Sequence, residues 1–188
     1  MQITFRKTGE RTLETVVLRD DRVVVEMRSS YGKLPLPHDL VHYVVEFELK
    51  LKHGFWGCIG EGALFPGMTV VSGRPLPDAR KRSNAVIRAA YQQRNASEGL
   101  VEAFVAAAYA VDPALRFAKL VSSDSRGLWS PALIDKDSRR RIVERLRIAQ
   151  TRWQDLAIGE SITLPWPPSV ARTRRSSSLS RRSLRRSG

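Results

Sequence analysis

The sequence predicts an α+β fold, with a small N-terminal antiparallel sheet packed against four to five helices and a disordered basic C-terminal tail. Three observations predict it. β-branched runs crowd the first thirty residues. Apolar residues then recur at three- and four-residue spacing in segments from about 37 to 158, the period of helices packed on one face. From residue 169 the chain turns to arginine and serine with no apolar period, a composition that buries too little to order itself. A chain of 188 residues fits one folded unit over 1–168, followed by the tail over 169–188.

The elements follow in order. Glu14–Arg19 and Arg22–Met27 read as two strands joined by Asp20-Asp21, a hairpin signal, and Ile3–Arg6 adds a third strand. Residues 31–37 read as a loop. Pro37 suits the first position of a helix running to about Leu51, with Leu40, Val41, Val44 and Val45 as its apolar stripe. Gly54 to Gly67 holds five glycines and reads as a tight, irregular or partly helical connection that presses Phe55, Trp56 and Phe65 on the core. Residues 68–77 read as a Pro/Gly loop. Helices are expected over Asp78–Arg94 and Ser97–Val111, with a short restart at Pro113. A long helix capped by Ser138 runs to about Ile158 on the stripe Ile142, Leu146, Ala149, Trp153 and Leu156, and Gly159 stops it. Ser161–Leu164 is a last strand.

Charge and cysteine content narrow the classes. Lys and Arg number 32 against 19 Asp and Glu, a net charge of +13. Seven of those cations (Arg172, Arg174, Arg175, Arg181, Arg182, Arg185 and Arg186) and none of the acids lie after Val170, so the body carries only +6. Only seven cations are lysines, a bias that fits a GC-rich bacterial coding sequence. The lone Cys58 excludes an internal disulfide and fits a reducing compartment. The N-terminus lacks a signal-peptide apolar run. The most apolar stretch, Leu100–Val111, contains Glu102 and falls short of the ~20 residues that span a bilayer. The expected location is the cytoplasm.

One constellation carries specific chemistry. His38, His42 and Glu46 are spaced by four, so on a helix each step turns only ~40° and all three share one face, away from the apolar stripe. Two imidazoles and a carboxylate suit zinc or another first-row divalent ion. Asp39 would be the base if the ion hydrolyses a substrate. The pattern resembles the His-Glu-x-x-His zinc signature of metalloproteases, but Asp39 replaces the glutamate with a shorter carboxylate. No third ligand stands at a familiar spacing; Glu46, His53 and Glu61 are the candidates. The His-Asp pair also resembles that of HD-type phosphohydrolases, which require an earlier histidine that this chain lacks. The bland alternative is a helix whose Asp39 complements the dipole and whose His42 and Glu46 pair on a surface.

The block Leu36-Pro37-His38-Asp39-Leu40-Val41-His42-Tyr43-Val44-Val45-Glu46, followed by Gly54-Phe55-Trp56-Gly57, resembles one in small bacterial, mainly actinobacterial, proteins. The resemblance covers about the first two-thirds of the chain. It implies a bacterial family and brings no activity with it.

Other signals are weaker. The glycines form no phosphate loop, and turn geometry or close packing accounts for them. Cys58 beside Trp56 reads as a buried apolar residue rather than a nucleophile. The seven tail arginines would hold nucleic-acid phosphates by counterion release without reading sequence, and Arg74, Arg80, Lys81, Arg82, Arg88 and Arg94 extend that basic surface. The tail's two leucines are too few for a membrane anchor. The leading functional expectation is a non-enzymatic binding or regulatory protein. The alternatives are a divalent-metal protein or metal-dependent hydrolase using His38, His42 and Glu46, and a non-specific nucleic-acid binder.

Overall fold

A computed structural model describes residues 1–32, 34–112, 116 and 134–167. Strands β1 (Gln2–Lys7), β2 (Thr12–Leu18), β3 (Val24–Ser30), β4 (Met68–Ser72) and β5 (Ser161–Pro165) form one antiparallel sheet in the order β4-β3-β2-β1-β5. Helices α1 (His38–Glu48), α2 (Phe55–Gly60), α3 (Ala79–Ala89), α4 (Tyr91–Ala108) and α5 (Lys136–Gln154) complete the described chain. The α+β expectation holds.

Alternation builds the sheet. Ile3 and Phe5 of β1, Leu13 and Val17 of β2 and Val25 of β3 turn to the core side, where each is at most 1% exposed. Glu14 on the other side receives Arg6 at 3.2 Å and Arg28 at 3.2 Å, an ion-pair ladder across three strands. The hairpin between β2 and β3 forms as expected. Asp21 Oδ1 accepts from the Val23 amide at 3.2 Å, and Arg22 takes the positive φ of 64°.

Four boundaries differ from the sequence reading, one being the end of the last helix, which stops at Gln154 with Asp155 as its C-cap rather than at Ile158 and Gly159. Residues 68–72, expected within a loop, are strand β4 pairing with β3 from Met68↔Met27 to Val24↔Ser72. The run Met68-Thr69-Val70-Val71 has the β-branched character of a strand, and the neighbouring Gly67 and Gly73 mark its ends at φ 85° and 84°. The break expected near residue 96 falls instead at Ala90, so α4 begins at Tyr91. The cap of α5 is Asp135 rather than Ser138: its carboxylate accepts from the Ser138 amide at 2.8 Å and hydroxyl at 2.6 Å. The restart expected at Pro113 lies outside the described residues.

Helix α1 contacts both α4 and α5 and lies in the middle of the core. Leu40, Val41, Val44 and Val45 are at most 7% exposed, as the stripe predicts. The opposite face is not the open one that the sequence suggests. His42 is 2% exposed and Glu46 0%, because α2 and α4 cover that side. Among the described residues no helix is long and apolar enough to cross a membrane.

Candidate metal centre

The two histidines of α1 meet a carboxylate from another helix. His38 and His42 stand one turn apart with their rings edge to face at 81°, and their Nε2 atoms lie 3.1 Å from each other. Glu98 of α4 brings its Oε2 to 3.2 Å from His42 Nε2 and 3.4 Å from His38 Nε2. A tetrahedral ion with bonds of 2.0–2.1 Å sets neighbouring ligands about 3.3–3.4 Å apart. The three donor atoms therefore form a triangle close to one face of such a tetrahedron. Among the described residues this trio is the cluster able to hold a metal. The His38 side chain is 44% exposed and that of Glu98 48%, so the centre is buried on the His42 side and open on the other.

Glu46, expected as the carboxylate of this set, stands on the other side of the His42 ring. Its Oε1 accepts from His42 Nδ1 at 2.9 Å, from the Ser97 hydroxyl at 2.7 Å and from the Phe55 amide at 2.8 Å, while Oε2 accepts from the Trp56 amide at 3.0 Å. A fully buried carboxylate survives only when its lone pairs are filled, and four donors fill them. The partner amides are the first two of α2, a helix whose N-cap Gly54 brings no side chain. One carboxylate thus caps α2, ties α1 to α4 through Ser97, and holds the Nδ1 proton of His42 so that Nε2 faces the triangle. Gly54 makes room for it: a Cβ there would lie within 2.6 Å of both Glu46 oxygens.

The electrostatics follow from the same contacts. Without a cation, burial disfavours a charged His42, but hydrogen bonds to Glu46 and Glu98 outweigh it and push the pKa up to about 9. The imidazoles of His38 and His42 pull the Glu98 carboxyl far below the usual range. His42 is thus held in its charged form between two carboxylates.

The remaining candidates stand elsewhere. Asp39 turns toward β3, where the Ser29 hydroxyl donates to Oδ2 at 3.0 Å, and burial raises its pKa despite that bond. His53 Nδ1 faces Glu61 Oε1 at 3.4 Å, and neither belongs to the triangle. Cys58 is buried, its Sγ 3.6 Å from the His53 carbonyl, and burial pushes its pKa up to about 12, so it is no thiolate nucleophile. The seven tail arginines, Arg172, Arg174, Arg175, Arg181, Arg182, Arg185 and Arg186, lie outside the described residues. A cleft of about 800 Å³ between α4 and α5, lined by Phe104, Lys136, Val143 and Arg147 among others, holds none of the three donors.

Sequence reasoning missed Glu98. It lies 56 residues from His42, and no spacing rule links the two. One signal was present: Ser97 is a polar residue on the buried stripe with Val101 and Phe104, at helical spacing. A buried serine asks for a polar partner in the core, and its neighbour Glu98 follows from there.

Comparison with protein-family models, curated proteins and solved structures finds no match.

Proposed function

We propose that this chain is a divalent-metal-binding protein whose ion is held by His38, His42 and Glu98, with Glu46 orienting His42. One observation carries the reading: three donor atoms from two helices converge with edges of 3.1, 3.2 and 3.4 Å, the spacing that a small tetrahedral ion imposes. The donor set, two neutral imidazoles and one carboxylate, suits zinc or a neighbouring first-row ion better than calcium or magnesium. Three protein ligands leave a fourth position, and the exposure of His38 and Glu98 puts water within reach of it. Asp39 keeps one oxygen engaged with Ser29, so the reading stops at binding and assigns no reaction. Such a centre serves a binding or regulatory protein as readily as an enzyme.

Titration of metal-free full-length protein with zinc, followed by calorimetry, tests it. One ion per chain is expected in the wild type. His42→Ala and Glu98→Gln should each lose at least tenfold in affinity. A wild type that takes up no zinc, or a Glu98→Gln variant that binds as the wild type does, overturns the proposal.

A further inference from the structure

A second surface lies away from the metal centre, on α3. Only Ser83 of its eleven residues is buried. Val86 and Ile87 turn inward onto Cys58, Ala63 and Ala90, and these contacts anchor the helix. Around the outside stand Arg80, Lys81, Arg82 and Arg88, all exposed, with exposed Arg74 in the approach. None of these five side chains enters an ion pair or a side-chain hydrogen bond among the described residues, and Asp78 is the sole acid between Gly73 and Arg94. Other cations of the protein are paired, among them Arg6 and Arg28 with Glu14, and Arg141 and Arg145 with Glu48.

The arrangement along α3 is regular. Lys81 and Arg88 are seven residues apart, two turns, so they share a line about 10 Å long on the side away from Ser83. Asn84 lies about 50° to one side of that line, and Arg80 and Arg82 lie about 100° round from Lys81, one on each flank. The other outward positions are Ala85 and Ala89, side chains too small to hold a rigid surface away. The face lacks apolar side chains to enter a lipid surface, because Val86 and Ile87 are spent on the core. Cations along the crest of an exposed helix and on both of its flanks complement the phosphates that border a groove of a duplex.

We propose that α3 is a docking surface for the phosphodiester backbone of a nucleic-acid duplex, with Arg80, Lys81 and Arg88 as the cations that displace its counterions. The contact reads charge and shape rather than sequence, and it is independent of the metal centre.

Fluorescence anisotropy of a short labelled duplex of mixed sequence, measured over a salt series with the full chain, tests this. Arg80→Gln, Lys81→Gln and Arg88→Gln combined should lower affinity about tenfold or more at low salt and flatten the log K against log salt slope by about 2.7, or 0.9 per cation. The positions are exposed, so circular dichroism and zinc uptake of the triple variant should match the wild type. A second full-length variant replaces the seven tail arginines by glutamine. The proposal fails if the triple variant keeps the wild-type slope, if the tail variant alone abolishes the slope, or if wild type does not bind the duplex. It fails equally if single strands, polyglutamate or phosphatidylserine vesicles bind as tightly as the duplex and lose as much in the triple variant.

Discussion

Helices α1 and α3 both have eleven residues, and they use polar side chains in opposite ways. In α1 every residue from Leu40 to Glu46 is buried, and His42 and Glu46 survive there only because each polar atom has a partner. In α3 one residue is buried and the cations stand in water without an ion-pair partner among the described residues. The difference lies in what fixes a side chain. Desolvation leaves a buried carboxylate one tolerable position, and through Glu46 it fixes the ring of His42. An exposed arginine is fixed by nothing and suits a contact that tolerates sliding.

The contrast can be broken most severely at Glu46. Glu46→Ala strands two α2 amides, the Ser97 hydroxyl and His42, and should cost about 3–5 kcal/mol in denaturant unfolding, as removal of one member of a buried charged pair does. Gly54→Ala attacks the same carboxylate from outside and should cost about 1–3 kcal/mol as overpacking. Ser97→Ala should cost about 1 kcal/mol, one buried hydrogen bond, and weaken zinc binding less than Glu98→Gln. At the far end, the triple change of Arg80, Lys81 and Arg88 to glutamine should alter unfolding free energy by no more than about 0.5 kcal/mol. A loss at α3 as large as at Glu46 would erase the distinction.

Acidity sharpens the comparison within α1. In the metal-free protein, burial opposes the charge on His42 while Glu46 and Glu98 favour it, and the net pKa is about 9 against 6.5 for the free side chain. A raised pKa contributes stability that is fully present below pH 6.5 and lost as pH climbs through 9. The thermal midpoint of metal-free protein should therefore fall over that window. Zinc affinity should rise over the same window, because the ion no longer competes with a proton, and His42→Ala should abolish both trends.

Local patterns were legible. The hairpin, the α1 stripe and the His38–His42 pair all rest on spacing within a single element, which the chain displays openly. What stayed hidden depends on neighbours. Strand β4 is a short β-branched run inside a Gly/Pro-rich stretch, and the pairing edge that β3 supplies decides it as strand rather than loop. Glu46 has the same spacing as a ligand would, and α2 decides its role by presenting two amides to it. Glu98 lies on a helix that the sequence cuts at the wrong residue, and helix packing alone brings it to the pair.

The sheet order has a kinetic side. β1 pairs with β2 a few residues away, but its other edge waits for β5, whose Thr163 hydroxyl lies 2.9 Å from that of Thr4 across 159 residues of chain. Contacts so distant must close a long loop before they return any stabilisation, which slows folding. During synthesis β1 therefore offers a bare row of amides and carbonyls until nearly all the rest has been made, and mispairing with another nascent copy would begin there.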